Sequence, residues 1–371
     1  MNVNALIVCK MLLLLLFTSC NNGNKVQTNE SIIHVNRLER INNSDIPPNS
    51  FMKEIKYVNL YSADIELNFK EISKIKIHNN HFFIMDSYMT NLLVYDFSGN
   101  AITKIGNRGN GPNDYVNITD FDIDNEGNIY VIDGTLDKLF VYDRAFKFML
   151  KKDLPFSVDI IKVLENGNFL LGLSSWDKSE YKGARVIRSN NQFEDVQILN
   201  YYDKYVDHTV WISNYTFSTC ENGILYNKPL DNEILQFSKT GELTGSFFLD
   251  FGKEAIPNKA KKDIMKYFGN FETYIALQRF TIIEEDYLFG TFLMYGKTRS
   301  FFIDRKENKL FIGKELDIRD DYGDVIGYHD NILISCLIPG TSKADDTSLP
   351  TGVKKHLEAE NFVLCLYYLG I

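Results

Sequence analysis

The chain has 371 residues, 40 Lys and Arg against 49 Asp and Glu, a formal net charge of -9, 44% hydrophobic residues and 24% charged ones. That apolar share is enough for a buried core, which excludes disorder and fibrous repeats. An acidic chain without a basic block lacks the electrostatic footprint of nucleic-acid binding, and its 21 Tyr and 27 Phe suit half-buried strands better than helices.

The first predicted element is an address. Residues 1–19 carry one charge, Lys10, then the apolar run Met11 to Phe17, then Thr18-Ser19. Such a run is too short to span a bilayer and suits the core of a signal peptide. Small residues directly before Cys20 resemble a bacterial lipobox, which implies that Cys20 is diacylated and becomes the first mature residue. Residues 20–50 then read as a lipid-anchored polar linker, since eight asparagines fall between 21 and 50. The expected partner is therefore a membrane, through the lipid anchor. The expected location is the cell envelope, as an outer-membrane lipoprotein, with the leaflet open.

From residue 51 to 371 one pattern recurs: apolar strand, tight polar turn, apolar strand, connection, third strand, turn, fourth strand. The second strands centre on Phe82 to Asp86, Ile129 to Asp133, Phe169 to Leu173, Ile224 to Lys228, Tyr287 to Thr291 and Ile332 to Cys336. Four-stranded units at intervals of about 50 residues are the signature of propeller blades. The expected fold is all-β, a six-bladed β-propeller of four-stranded antiparallel blades. The sixth unit ends after its third strand, so the unassigned strand Glu54 to Leu60 is expected to complete it and close the ring.

Turns between first and second strands are short, for example Asn125-Glu126-Gly127. Long segments fall only between second and third strands (174–183, 340–360) or between blades (107–117, 201–215, 252–276). In an up-and-down propeller these two classes share one face, which makes that face the expected place for function. Residues 254–270 read as a helix crossing it, and Lys354 to Glu360 as a second helical stretch.

The segment Gly106-Asn107-Arg108-Gly109-Asn110-Gly111-Pro112-Asn113-Asp114-Tyr115, followed by Phe121-Asp122-Ile123-Asp124, resembles the six-bladed NHL-like (TolB-like) propeller lipoproteins of Bacteroidetes. Those proteins carry a Gly-x-x-Gly-x-Gly-Pro-x-x-Tyr stretch after the first blade. The resemblance extends over residues 31–371 and is strongest over 51–145. It implies the fold and an envelope location and no particular reaction.

The candidate chemistry is binding. The glycine-rich loop has no helix N-terminus behind it and no Lys-Ser/Thr, so it reads as an inter-blade connection rather than a phosphate cradle. Asp122 to Gly127 with Asp133 spells most of a calcium loop but overlaps a strand-turn-strand hairpin. The six histidines and the cysteines lack metal-ligand spacing, so no metal and no cofactor is expected. On the long-loop face lie both tryptophans, Trp176 and Trp211, with Asp177, Tyr205 and His208 interleaved. Rings flanked by polar groups suit sugar stacking or peptide anchoring, or else they anchor the loops themselves. With Arg108 and Tyr115 these form the candidate ligand-binding set, for a glycan, a peptide or an envelope protein. Two alternatives stand beside this reading: a propeller hydrolase, lactonase or lyase at the channel mouth, and a structural accessory of an outer-membrane complex. Whether Cys336 and Cys365, on strands expected to be neighbours, are bonded is open.

Overall fold

The computed structural model describes residues 29–203, 217–227, 231–267, 272–284, 286–314, 326–341 and 348–371. They form six sheets that follow one another around an axis. Blade one consists of Lys74–His78, His81–Asp86, Asn91–Asp96 and Ala101–Lys104, from the axis outward. Blade two is Ile118–Ile123, Ile129–Asp133, Lys138–Tyr142 and Phe148–Asp153, and blade three is Val158–Val163, Phe169–Leu173, Ala184–Ser189 and Val196–Tyr201. Blade four is Ser218–Cys220, Gly223–Asn227, Glu233–Phe237 and Leu243–Leu249, and blade five is Ile275–Glu284, Tyr287–Met294, Lys297–Asp304 and Lys309–Gly313. Blade six is Gly327–His329, Ile332–Leu337 and Val363–Leu369, completed by Met52–Asn59 as its outer strand.

The middle strands are continuous apolar runs because both their faces are buried between blades. In blade one, Phe82 and Ile84 pack with Ile334 and Leu364 of blade six, while their neighbours Phe83 and Met85 pack with Phe121 and Val131 of blade two. Alternation by one residue thus feeds two inter-blade cores from one strand. The same alternation separates the two thiols. Cys365 pairs in register with Ser335, and Cys336 with Leu364, so the cysteines face opposite sides of blade six. Cys220, Cys336 and Cys365 are all buried, and none of the three is in a disulfide.

Ring closure is as expected. Met52–Asn59 runs antiparallel to Val363–Leu369, from Met52 opposite Leu369 to Asn59 opposite Val363. The chain then crosses to blade one, where Tyr61 N donates to Gly99 O and Ala101 N to Tyr61 O. Gly99 sits at φ +88°, and a Cβ there would lie 2.0 Å from Asn59 O, so only glycine admits this crossing.

The reading of residues 20–50 as a leash is corrected from Asn29 onward. Asn29–Ile33 adds to blade four as a fifth strand, parallel to Leu243–Leu249, and Glu39–Ser44 adds to blade five, parallel to Lys309–Gly313. Between them Val35, 1% exposed, plugs the core shared by those blades. Two side-chain pairs hold the segment down: His34 Nδ1 lies 2.8 Å from Asp250 Oδ2, and the Arg40 guanidinium grips Glu254 with both nitrogens. Residues 1–28, including Cys20, lie outside the described residues.

The short turns gather at one end of the axis and the long connections at the other. Asn79 and Asn80, at φ 45° and 59°, and Asp330 and Asn331, at 44° and 62°, make tight two-residue hairpins that demand left-handed backbone. At the other end, the helix expected over 254–270 is instead a 3-10 turn, Gly252–Glu254, and two single-turn helices, Asn258–Lys261 and Ile264–Tyr267. The second helical stretch is Thr351–Glu358 and buries Val353 and Leu357 against blade six.

Candidate functional site

Inner strands of a propeller converge on the axis without pairing to one another, so their axis-side amides need other partners. Blade two supplies them to blade three. Asp120 Oδ2 accepts from Ile161 N at 2.8 Å, and Asp122 Oδ2 from Val163 N at 2.7 Å. Lysines fill the remaining acceptor positions. Lys74 Nζ donates to Asp120 Oδ1 at 2.6 Å and to Phe121 O at 2.7 Å. Lys162 Nζ donates to Asp122 Oδ2 at 3.0 Å, and Lys76 to Asp122 Oδ1. Two residues apart on one strand means one face, so Lys74 with Lys76 and Asp120 with Asp122 all turn toward the axis.

These lysines are short of counter-charge. Burial pushes the Lys74 ammonium below its ordinary value against the pull of Asp120. Burial, and then the neighbouring Lys162 ammonium, drive Lys76 well below. Burial holds Lys162 down to about 8. On the opposite wall Arg279 follows a register shift between Leu277 and Arg279, a bulge that re-aims the side chain to the axis. Across the sheet, a Cβ on Gly290 would lie 2.1 Å from Arg279 O, so the bulge depends on that glycine.

A cavity of about 220 Å³ lies between these groups and takes lining from all six blades, including Lys74, Lys76, Lys162, Thr219, Arg279 and Tyr328. It shares Ile123, Lys162, Thr219, Tyr328 and His329 with a wider mouth of about 570 Å³ at the short-turn end, whose rim carries Asp124, Glu165, Glu221, Lys239 and Asp330. These two cavities therefore open at the end opposite the long loops, whereas a third of about 350 Å³, lined by Ile46, Tyr57, Leu337 and Leu349, lies between blades five and six.

Two expected site residues are buried. Tyr115 is fully buried between blades one and two, edge-on to Phe140, with its hydroxyl donating to Ile105 O at 3.2 Å. Asp177, 3% exposed, accepts from Ser157 N at 2.9 Å and from both the amide and the hydroxyl of Ser179, which shapes its own loop. Arg108 is exposed, in a backbone bridge to Tyr115, and Trp176 is 53% exposed on the long-loop face; neither lines the axial cavities. Tyr205, His208 and Trp211 lie outside the described residues. The glycine-rich loop closes on itself, with Gly111 N donating to Asp114 Oδ2 at 2.9 Å, and at Gly106 (φ +66°) a Cβ would lie 2.2 Å from the Tyr142 hydroxyl.

The acidic residues that spell a calcium loop diverge. Asp122 serves the lysines, Asp124 accepts from the amides of Glu126 and Asn128 in its own turn, and Asp133 accepts from Val116 N, Asn117 N, Thr135 N and Leu136 N. Asp86 does for blade one what Asp133 does for blade two, taking Lys70 N and Met89 N. Among the described residues no three His, Cys, Asp or Glu gather in a metal-holding group. What the sequence reading missed is the axial cluster. Its signal is the period-two pair of lysines at 74 and 76 one blade before the pair of aspartates at 120 and 122.

A family described as 6-bladed beta-propeller, DUF5128, matches residues 22–326. No curated protein matches the chain. Among solved structures, a protein of Bacteroides fragilis described as exported is 20% identical, with a TM-score of 0.71, over 92% of this chain and 100% of that one. Virginiamycin B lyase from Staphylococcus aureus, solved with quinupristin, is 11% identical with a TM-score of 0.47, covering 84% of this chain and 99% of the lyase. PorZ, a surface component of the type-IX secretion system of Porphyromonas gingivalis, is 11% identical with a TM-score of 0.33, over 75% of this chain and 39% of PorZ.

Proposed function

The chain belongs to the DUF5128 family of six-bladed β-propellers, and within that frame we propose that it is an exported envelope protein that binds a small ligand in the axial cavity at the short-turn end. The observation that carries this reading is the cavity itself: about 570 Å³ at the mouth, continuous with a floor lined from all six blades and set with charged side chains. Concave, largely pre-formed sites with a few convergent polar groups are where proteins take small ligands. Binding is favoured over catalysis because both axial aspartates, Asp120 and Asp122, have their oxygens engaged by a backbone amide and by ammonium groups. Neither of these two carboxyls is poised to take or give a proton.

The export signal and the lipobox-like Thr18-Ser19-Cys20 support an envelope position with Cys20 as the lipid acceptor. Labelling with radioactive palmitate, lost in Cys20→Ala, tests the anchor. For the ligand, the mature protein isolated from its native envelope is analysed by native mass spectrometry. A bound small molecule is expected in the wild type and not in Thr219→Trp, whose ring fills the mouth. Identical spectra without any adduct would sink the reading.

A second reading keeps the long-loop face as a docking surface for a glycan, peptide or envelope protein. The specific observation in its favour is the exposure of Trp176, a large ring that nothing in blade packing requires to face solvent.

A further inference from the structure

The charge along the cavity is polarised. The floor is lined by Lys74, Lys76, Lys162 and Arg279, and no carboxylate lines it among the described residues. Asp120 and Asp122 stand behind that lining, 2% and 0% exposed, each with one oxygen given to an amide of blade three. Three ammoniums thus share two carboxylates, with the Arg279 guanidinium on the facing wall, inside a protein whose net charge is -9. Gathering like charges in a region screened from water is costly unless something negative completes the set. Burial first of all, and for Lys76 the neighbouring ammoniums after it, depress these groups, and a negative group arriving from outside would favour their charged forms. The rim has the opposite sign: Asp124, Glu165, Glu221 and Asp330 against Lys239. An anion that depends only on long-range steering would be turned away by such a rim, whereas a ligand with two unlike ends would be oriented by it.

The geometry points to the channel floor as a binding site for an anionic head group, a carboxylate or a phosphate, on a small ligand whose other end is hydroxylated or cationic and rests among the rim carboxylates. This rests on the axial-cavity reading above and adds the chemical class. Arg279 supplies a planar fork from one wall and Lys76 and Lys162 supply point charges from the other, which suits either oxyanion.

The test is isothermal titration of the mature chain at low salt and pH 7 with two matched pairs, D-galacturonate against D-galactose and D-glucose 6-phosphate against D-glucose. Each pair differs only in its anionic group, so the two arms separate carboxylate from phosphate. At least one acidic sugar is expected to bind, with its neutral partner at least tenfold weaker. Arg279→Gln should weaken the acidic sugar at least tenfold while still unfolding cooperatively, and Lys76→Arg, which keeps the charge, should retain binding where Lys76→Gln loses it. Neutral sugars binding as tightly as acidic ones would overturn the anion assignment and leave the cavity reading intact. Acidic sugars that bind Arg279→Gln unchanged would place the anion elsewhere and also overturn it. If none of the four binds, the proposal falls, and the mass spectrum of the envelope-derived protein decides the cavity reading separately.

Discussion

Asp122 accepts a hydrogen bond from Lys162 Nζ at 3.0 Å across the boundary between blades two and three, and the same oxygen accepts from Val163 N at 2.7 Å. One carboxylate therefore stitches together inner strands that have no backbone ladder between them, and through its other oxygen reaches Lys76 of blade one. Asp122→Ala leaves two ammoniums facing each other and an amide unpartnered. The expected loss is about 3–5 kcal/mol, read from the midpoint of urea unfolding. A loss under about 1 kcal/mol would mean that water replaces the carboxylate at no cost and that the stitch is ornamental.

Lys162 gives the stability a pH dependence of known sign. Its ammonium is held at about 8 in the folded chain and rises to about 10.4 in the unfolded one. Between those values the unfolded chain binds more protons, so this residue's burden on folding is complete below about pH 8 and is lifted as the pH climbs toward 10. The groups that face it are Lys76 and Lys74 of blade one, Asp120 and Asp122 of blade two and Glu165 of its own blade; Arg279 and His329 share the cavity. The difference between wild type and Lys162→Met should thus swing by about 3 kcal/mol across that window. Parallel curves for the two proteins would contradict the assignment.

How much of this was legible beforehand depends on which face a residue serves. The six second strands were readable because both faces of a middle strand are apolar, as in Phe82-Phe83-Ile84-Met85, and nothing else in the chain produces such runs so regularly. The closing strand was readable from the missing fourth strand of the sixth unit. The segment Asn29–Ser44 was not, because an outer strand keeps one face in water and its asparagines look like a linker. The axial lysines were hidden for a related reason: an alternating polar residue on an inner strand has the same pattern whether it faces solvent or a closed channel. The burial of Tyr115 was hidden in the other direction, since an aromatic ring in a glycine-rich loop has the look of a surface residue until Phe140 and Tyr142 are seen around it.

The N-terminal segment should behave as part of the fold. Val35 is 1% exposed in the core of blades four and five, and Val35→Asp buries an unpaired charge that the segment can avoid only by detaching. Hydrogen exchange is expected to accelerate in Leu243–Leu249 and Lys309–Gly313, the outer strands that the segment covers, with blades one to three unchanged. Uniform acceleration across all blades would show instead that the ring unfolds as one unit. On acidification the segment should loosen as well. Hydrogen bonding from Arg40 holds Glu254 below its ordinary range, so the pairing stabilises above about pH 4.3 and is lost as the pH falls through the lower folded value.

Tyr115 and Trp176 should separate packing from display. Tyr115→Ala removes a fully buried ring and is expected to cost about 3–5 kcal/mol, whereas Tyr115→Phe gives up only the bond to Ile105 O and costs about 1 kcal/mol. Trp176 is 53% exposed, and Trp176→Ala should stay within about 0.5 kcal/mol of wild type in the same unfolding measurement. If the long-loop face docks a partner, cross-linking on intact cells should then recover that partner with the wild type and with Tyr115→Phe and lose it with Trp176→Ala. A large stability loss in Trp176→Ala would show that the ring anchors its own loop, and the docking reading of that face would lose the observation that favours it.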